Sequence, residues 1–157
     1  MKINYLFPYK FKRLGLWFLF PASIFGLIIT LYEWDPALLD WKVPAIFIDQ
    51  FFGKNQLIGM VNNNVLNEIV GVLILVSSIL VAFSKERVED EYIAKLRLES
   101  LVWAVYVNYA ILLVSFLFIF DMSFLWVMIF NMFTILWFFI IRFSWLKSKL
   151  KQFSTDE

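Results

Sequence analysis

The chain has 157 residues, of which 62% are hydrophobic and 20% aromatic, and its mean hydropathy is +0.77. This composition exceeds what a soluble core needs and indicates an integral membrane protein. The chain has no Cys and no His, which excludes disulfides, thiolate metal sites and every mechanism that uses histidine as base or ligand. Its net charge of +1 conceals an uneven distribution of Lys and Arg along the chain.

Four apolar runs predict four spanning helices, at residues 14–32, 65–83, 101–120 and 124–141. Each run is close to the roughly 20 residues that a helix needs to cross the hydrocarbon core. The last two runs are separated by residues 121–123 alone, so they must form an antiparallel hairpin. We therefore predict an all-α integral membrane protein, a four-helix bundle built from two helical hairpins.

The connection at residues 33–64 contains tryptophans and acids, which are typical of a membrane interface. Within it, apolar residues recur at helical spacing over residues 44–52, with Pro44 at the first position and Gly53 after the last. The stretch is too short to span a bilayer. We interpret it as a helix lying flat on the outer surface, with an ordinary packed loop as the alternative.

The central stretch at residues 84–100 holds nine of the 27 charged residues. Val88, Tyr92 and Leu96 fall on one helical stripe and the charges fall on the opposite side. This pattern predicts an amphipathic cytoplasmic helix that continues into the third span.

The charged side of that helix is a candidate docking surface for a cytoplasmic protein partner. Its members are Glu86, Arg87, Asp90, Glu91 and Arg97. A solvated helix face with no partner is the alternative. The acids do not predict a calcium site, because the stretch has no glycine for a tight loop and basic residues are interleaved with the acids. We expect no metal and no cofactor.

The distribution of Lys and Arg predicts the topology. Twelve of these residues lie in the N-terminal segment, in residues 84–100 and in the basic tail at 142–157, whereas two lie in residues 33–64. The positive-inside rule therefore places both termini and the central stretch in the cytoplasm, and the 33–64 connection outside.

Four polar residues of the predicted spans are candidates for intramembrane polar contacts: Glu68, Asn108, Asn131 and Thr134. An ionisable side chain such as Glu68 within a span is a candidate for ion handling, although a glutamate in the first turn of a helix is also favoured by the helix dipole. Asn108 and Asn131 lie at comparable depths in the predicted hairpin, with Thr134 one turn away. We interpret these three as polar contacts between helices, with a ligand site as the alternative.

Residues 85–143 carry the runs KERVEDEYIAKLRLESLVWAVYVNYA and FDMSFLWVMIFNMFTILWFFIIRF. In this half the chain resembles a group of small, uncharacterised bacterial four-span membrane proteins whose genes often neighbour a short helix-turn-helix regulator. The resemblance implies a four-span fold in the bacterial inner membrane and a regulatory setting. It carries no catalytic motif.

These patterns favour a non-enzymatic membrane protein that acts by interaction or regulation. We expect the lipid bilayer, a cytoplasmic protein and a second copy of the chain as partners, and no nucleic acid. Self-association is suggested by the small side chains of Ala22, Ser23 and Gly26 in the first span. The alternative function is a small transporter or ion-handling subunit that uses Glu68 and the intramembrane asparagines.

Overall fold

The computed structural model describes residues 5–32, 34–48 and 56–153. In chain order its elements are α1 (Tyr9–Tyr32), a 3₁₀ helix (Ala37–Leu39), β1 (Asp40–Ile48), β2 (Gln56–Asn64), α2 (Leu66–Ala82), α3 (Glu91–Phe118) and α4 (Asp121–Phe153). The described part is thus mostly helical, with four α-helices and one small sheet. The chain divides into two compact units, one made of Met1–Leu19 with Ile74–Glu157 and the other of Phe20–Leu73.

Among the described residues, three helical stretches are long and apolar enough to cross a membrane. They are Tyr9–Tyr32, Glu91–Phe118 and Asp121–Leu150. The fourth helix, α2, has 17 residues and therefore stands at the lower limit for a span. Only 11% of the apolar window of α3 and 6% of that of α4 are buried by the protein itself, so most of their apolar surface requires an apolar surrounding.

In the larger unit, α3 and α4 form the predicted antiparallel hairpin. The linker is Ile119–Phe120 rather than residues 121–123. The backbone N–H of Ile119 donates to the carbonyl of Ser115 at 2.8 Å. α4 then begins at Asp121, whose φ of 57° lies in the left-handed region that aspartate tolerates better than most residues.

Two helix ends differ from the predicted spans. α1 begins at Tyr9, directly after Pro8, and therefore includes basic residues that were assigned to the N-terminal segment. α4 continues past residue 141 to Phe153, because the basic tail contains no Gly or Pro that would stop a helix before that point. Both helices thus extend from apolar into charged sequence.

The predicted amphipathic helix at residues 84–100 is wrong in its first part. α3 begins at Glu91, and its N-cap is Asp90, whose carboxylate accepts a hydrogen bond from Ile93 N at 2.7 Å. Residues 83–90 form a non-helical connection between α2 and α3. Capping by a short acidic side chain fixes the start of the helix at this point.

The core of the larger unit is a buried cluster between the end of α2, the first half of α3 and the second half of α4. Its buried members are Ala82, Leu96, Ala104, Phe139 and Phe143. The ring of Phe139 stacks on Phe83 at 5.9 Å and on Phe143 at 5.8 Å between ring centroids. This column of aromatic rings joins α4 to the 83–90 connection.

The smaller unit contains a β-hairpin where a flat helix was predicted. β1 pairs antiparallel with β2 in a register that joins Asp40 to Asn64 and Ile48 to Gln56. The helical prediction for residues 44–48 is therefore wrong, and its remainder, residues 49–53, lies outside the described residues. Both strands of a two-stranded sheet are edges, which is where proline is tolerated, so Pro44 is compatible with β1.

Asn64 fastens the base of the hairpin. Its amide nitrogen donates to the carbonyl oxygen of Pro36 and to Asp40 Oδ1, each at 2.8 Å. Its Oδ1 accepts from Leu66 N at 3.2 Å, so the same side chain also forms a hydrogen bond with the first backbone N–H of α2. One residue therefore connects the preceding loop, the sheet and the helix.

Candidate functional site

The 83–90 connection is the point at which four parts of the larger unit meet. Phe7 lies beside it and forms a parallel bridge to Ser84. The N–H of Phe7 donates to the carbonyl of Phe83 at 2.9 Å, and the N–H of Lys85 donates to the carbonyl of Phe7 at 2.8 Å. The segment before α1 is thereby attached to the connection through its backbone.

Glu86 is buried at the centre of this meeting point. Its two carboxylate oxygens accept from Lys12 of α1 and from Lys147 of α4, one lysine on each oxygen. The side chain of Glu86 is 2% exposed, that of Lys12 12% and that of Lys147 42%. We call these three residues the Glu86 cluster. It joins the start of α1 and the end of α4 to the connection between α2 and α3.

The surroundings of Glu86 favour its charged form. Burial on its own raises the pKa of the Glu86 carboxyl, but the hydrogen bonds and positive charges of Lys12 and Lys147 outweigh it, so the pKa lies below its ordinary value. A buried carboxylate is tolerated only when it is paired in this way. The cluster is therefore an ionised, internally compensated site.

A second ion pair lies next to the cluster. Arg97 of α3 donates from Nη1 to Glu89 Oε1 at 2.6 Å and from Nη2 to Glu89 Oε2 at 3.2 Å. Such a two-point contact is the stronger form of a guanidinium–carboxylate pair. Glu89 also accepts from the backbone N–H of Glu86 at 2.8 Å, so Glu86 and Glu89 are both held in place.

Phe143 lies beside both ion pairs. Its ring centroid is 5.5 Å from Lys12 Nζ and 5.4 Å from the guanidinium carbon of Arg97. The ring itself is buried, and an aromatic face attracts cations more strongly where water is excluded. Phe143 thus links the aromatic column of the core to the charged groups.

The structure corrects the predicted docking surface. Glu86 and Arg97 are each 5% exposed and face internal partners, so they are not available to a water-soluble protein. Arg87, Asp90 and Glu91 are exposed, with the guanidinium of Arg87 5.6 Å from the ring centroid of Tyr9. The predicted arc therefore contains residues of two kinds, internal counterions and surface residues.

Sequence reasoning missed four participants: Lys12, Glu89, Phe143 and Lys147. The grouping of basic residues in three segments did indicate that these segments share one side of a membrane. It could not indicate which lysine would meet which acid, because the partners are 61 and 74 residues away from Glu86.

Between α3 and α4, the structure brings Asn108, Asn131 and Thr134 together. Asn131 Nδ2 donates to Asn108 Oδ1 at 3.2 Å, Asn108 Nδ2 donates to Asn131 Oδ1 at 3.4 Å, and the hydroxyl of Thr134 also donates to Asn108 Oδ1. Asn108 is buried. These bonds satisfy polar groups in the interface of α3 and α4, the arrangement expected of polar contacts between membrane helices.

Glu68 lies in the first turn of α2 and is exposed. It accepts a hydrogen bond from Asn63 Nδ2 at 2.6 Å. An acid at this position interacts favourably with the positive end of the helix dipole. The described contacts of Glu68 are thus those of a residue at the start of a helix.

Ala22 and Ser23, from the patch that suggested self-association, are buried within the protein and do not form an exposed surface. In the described residues, no group of three acidic side chains is placed to hold a metal ion. Comparisons of the chain with protein-family models, with curated proteins and with solved structures gave no match.

Proposed function

We propose that the chain is a non-enzymatic, multi-pass protein of the bacterial inner membrane that docks a cytoplasmic protein on the exposed surface around the 83–90 connection. Four spans with both termini in the cytoplasm are part of this proposal. The observation that carries it is that the connection is fixed by the buried Glu86 and by the ion pair of Glu89 with the buried Arg97, while Arg87 and Val88 of the connection remain exposed. Residues 85–143 resemble small four-span membrane proteins whose genes often neighbour a regulator, so the proposal includes a role in regulation.

The proposed membrane placement is supported by the long apolar helices and by the contacts of the Glu86 cluster. Twelve of the 14 Lys and Arg residues lie in three segments of the sequence. Lys12 and Lys147, which come from two of them, both bind Glu86 of the third. These contacts support the placement of the three segments on the same side of the membrane. The positive-inside rule identifies that side as the cytoplasm.

The proposed docking surface consists of Arg87, Val88, Asp90, Tyr92 and Lys95, and we call it the outer connection surface. Val88 is 73% and Tyr92 54% exposed, and charged residues of both signs surround them. Protein interfaces typically have an apolar or aromatic centre and a polar rim. A surface on a fixed connection also loses little conformational entropy when a partner binds.

Site-specific photo-crosslinking in cells tests the docking proposal. A photoreactive residue at Val88 should give a crosslink to one defined soluble protein. The same residue at Leu113, which is 62% exposed in the last third of α3, should not. Tyr92→Ala should reduce the crosslink at least several-fold. Tyr109→Ala, at a tyrosine of the same helix that is 60% exposed, is the matched control and should leave the crosslink unchanged.

Two results would contradict the proposal. One is a crosslinking pattern at Val88 that matches the pattern at Leu113. The other is a soluble crosslinked protein that Tyr92→Ala does not affect, because the aromatic centre of the outer connection surface would then have no role in binding.

A further inference from the structure

A groove on the outer face of the α3–α4 hairpin is not used by the docking proposal. It has a volume of about 460 Å³ and is lined by Leu98, Glu99, Val102, Trp103, Tyr106 and Arg142. The five residues of α3 are spaced so that they share one face of the helix. Arg142 comes from α4, so both helices contribute to the groove.

Arg142 is held in this groove without an acceptor for its buried nitrogen. Its guanidinium carbon is 4.6 Å from the ring centroid of Trp103, a distance at which a cation and an indole attract each other. Its Nε is buried and has no hydrogen-bond partner among the described residues. Arg142 is half-buried, and a ligand in the groove would reach it through the terminal Nη nitrogens rather than through the buried Nε. Guanidinium N–H groups only donate, so the groove favours a ligand that brings acceptor oxygens.

Glu99 gives the same groove a negative charge. Its side chain is 56% exposed, and its described ion pair is the contact with Lys95 at 4.0 Å. A pair so long and so exposed contributes little, so a ligand ammonium can take the place of Lys95. The groove therefore presents one cation and one anion against walls that are apolar and aromatic.

We propose that this groove binds the headgroup of a zwitterionic phospholipid that carries a primary amine. The phosphate is bound by the Arg142 guanidinium, whose planar fork suits phosphate oxygens. The ammonium group is bound by the Glu99 carboxylate, and an acyl chain lies along Val102 and Tyr106. The inference rests on the membrane placement proposed above, which puts this end of the hairpin at the cytoplasmic headgroups, where basic pockets between helices bind lipids.

The pairing of charges separates this lipid from the other common headgroups. An anionic glycerol headgroup has no cation for Glu99. A choline headgroup has a cation without N–H donors, so it forms no hydrogen bond with the carboxylate. Both lack one of the two polar contacts, and the loss of one such contact corresponds to an affinity lower by about tenfold.

Native mass spectrometry of the full chain in detergent tests the proposal. The protein is titrated with phosphatidylethanolamine, phosphatidylcholine and phosphatidylglycerol that have the same acyl chains. We expect phosphatidylethanolamine to bind about tenfold more tightly than the other two. Arg142→Gln should weaken all three, and Glu99→Gln should abolish the preference among them.

Two further variants complete the design. Lys149→Gln is the matched control. Lys149 Nζ lies 4.3 Å from the ring centroid of Trp145 on the same helix but does not line the groove. This variant should leave lipid binding unchanged. Arg142→Lys keeps the charge without the planar fork and should give an intermediate affinity. It serves as the test of Arg142 if Arg142→Gln does not fold.

The proposal is overturned if the parent protein binds the three lipids equally, or if Glu99→Gln keeps the preference. Glycerophosphoethanolamine, which has no acyl chains, should not compete with the lipid. Competition at equal concentration would assign the groove to a soluble phosphate ester instead. Extraction of cell membranes with alkaline carbonate tests the membrane placement separately, since it reports retention in the bilayer whatever lipid the groove prefers.

Discussion

Replacement of Glu86 by Gln is the sharpest test of the Glu86 cluster. The change keeps the size of the side chain and removes the charge that holds Lys12, whose side chain is 12% exposed. Removing one partner of a buried ion pair leaves an uncompensated charge and typically costs about 3–5 kcal/mol. Because Lys147 is 42% exposed and can turn to water, we expect a loss near the lower end, about 3 kcal/mol of unfolding free energy.

Two single replacements serve as controls for that magnitude. Lys147→Gln should cost about 1 kcal/mol or less, because the pair is partly solvated and Lys12 still neutralises the carboxylate. Glu99→Gln removes an exposed carboxylate whose ion pair measures 4.0 Å, and should change stability by less than about 0.5 kcal/mol. The double variant Glu86→Gln with Lys12→Met removes both buried charges, so it should be more stable than Glu86→Gln alone.

Unfolding in mixed detergent micelles, followed by circular dichroism, measures these differences. The lowered pKa of Glu86 adds a pH test. The contribution of the carboxylate is present above the ordinary carboxyl pKa and is lost as the pH falls through the lower folded-state pKa. The parent protein should therefore lose stability over that acidic interval, and Glu86→Gln should lose less. A cost below about 0.5 kcal/mol, within the range of a surface substitution, or an unchanged acid profile would refute the buried ion-pair assignment.

Three further predictions concern the helices. Asn108→Leu should lower stability by about 1 kcal/mol in the same unfolding assay and leave the hairpin assembled, since such bonds between membrane helices are modest; a larger loss would mean that the contact is more than polar packing. Gly15→Ala should lower stability by about 1 kcal/mol although alanine favours helix, because its Cβ would lie 2.9 Å from Val81 Cγ2 and 3.0 Å from the carbonyl oxygen of Ser77; a stabilised variant would show that the helices there are not in close contact. Reporter fusions at both termini and within residues 84–90 should all report the cytoplasm, and an outside signal from any of them would refute the proposed topology.

The apolar helices could be read from the sequence because their signal is local. A run of about 20 apolar residues predicts a helix that can span a bilayer whatever it later contacts. The ends of the helices were harder to predict from the sequence. The start of α1 at Tyr9 depends on Pro8, and the start of α3 at Glu91 depends on the capping carboxylate of Asp90. The charged residues nearby are compatible with a helix as well as with a loop, so they did not mark these starts.

The β-hairpin was missed because its first strand satisfies two patterns at once. Residues 44–48 are all apolar, and a short apolar run fits a helical stripe as well as a strand. The β-branched residues Val43, Ile46 and Ile48 were the signal that favoured a strand. What decides the outcome is the pairing with β2, a partner that a window on β1 alone does not contain.

The local sequence pattern also could not show that Glu86 and Arg97 face the interior. On an ideal helix over residues 84–100 both would share the exposed arc, but the chain is not helical before Glu91. The non-helical connection turns Glu86 towards Lys12 and Lys147, whereas Glu89 reaches Arg97 from the same connection. The directions of these side chains are therefore set by their ion pairs and not by the helical periodicity that predicted the docking surface.

The concentration of basic residues at one end of the larger unit explains why these acids are internal. Lys12 and Arg97 both lie against the ring of Phe143, and Lys147 reaches the same carboxylate as Lys12. Three cations in a partly dehydrated space repel one another. Glu86 and Glu89 supply the opposite charges within contact distance of all three. Glu86 thus joins the start of α1 to the end of α4, and Glu89 neutralises Arg97 of α3. The partner proposed to dock at this end must therefore be recognised by the side chains that the ion pairs leave outside.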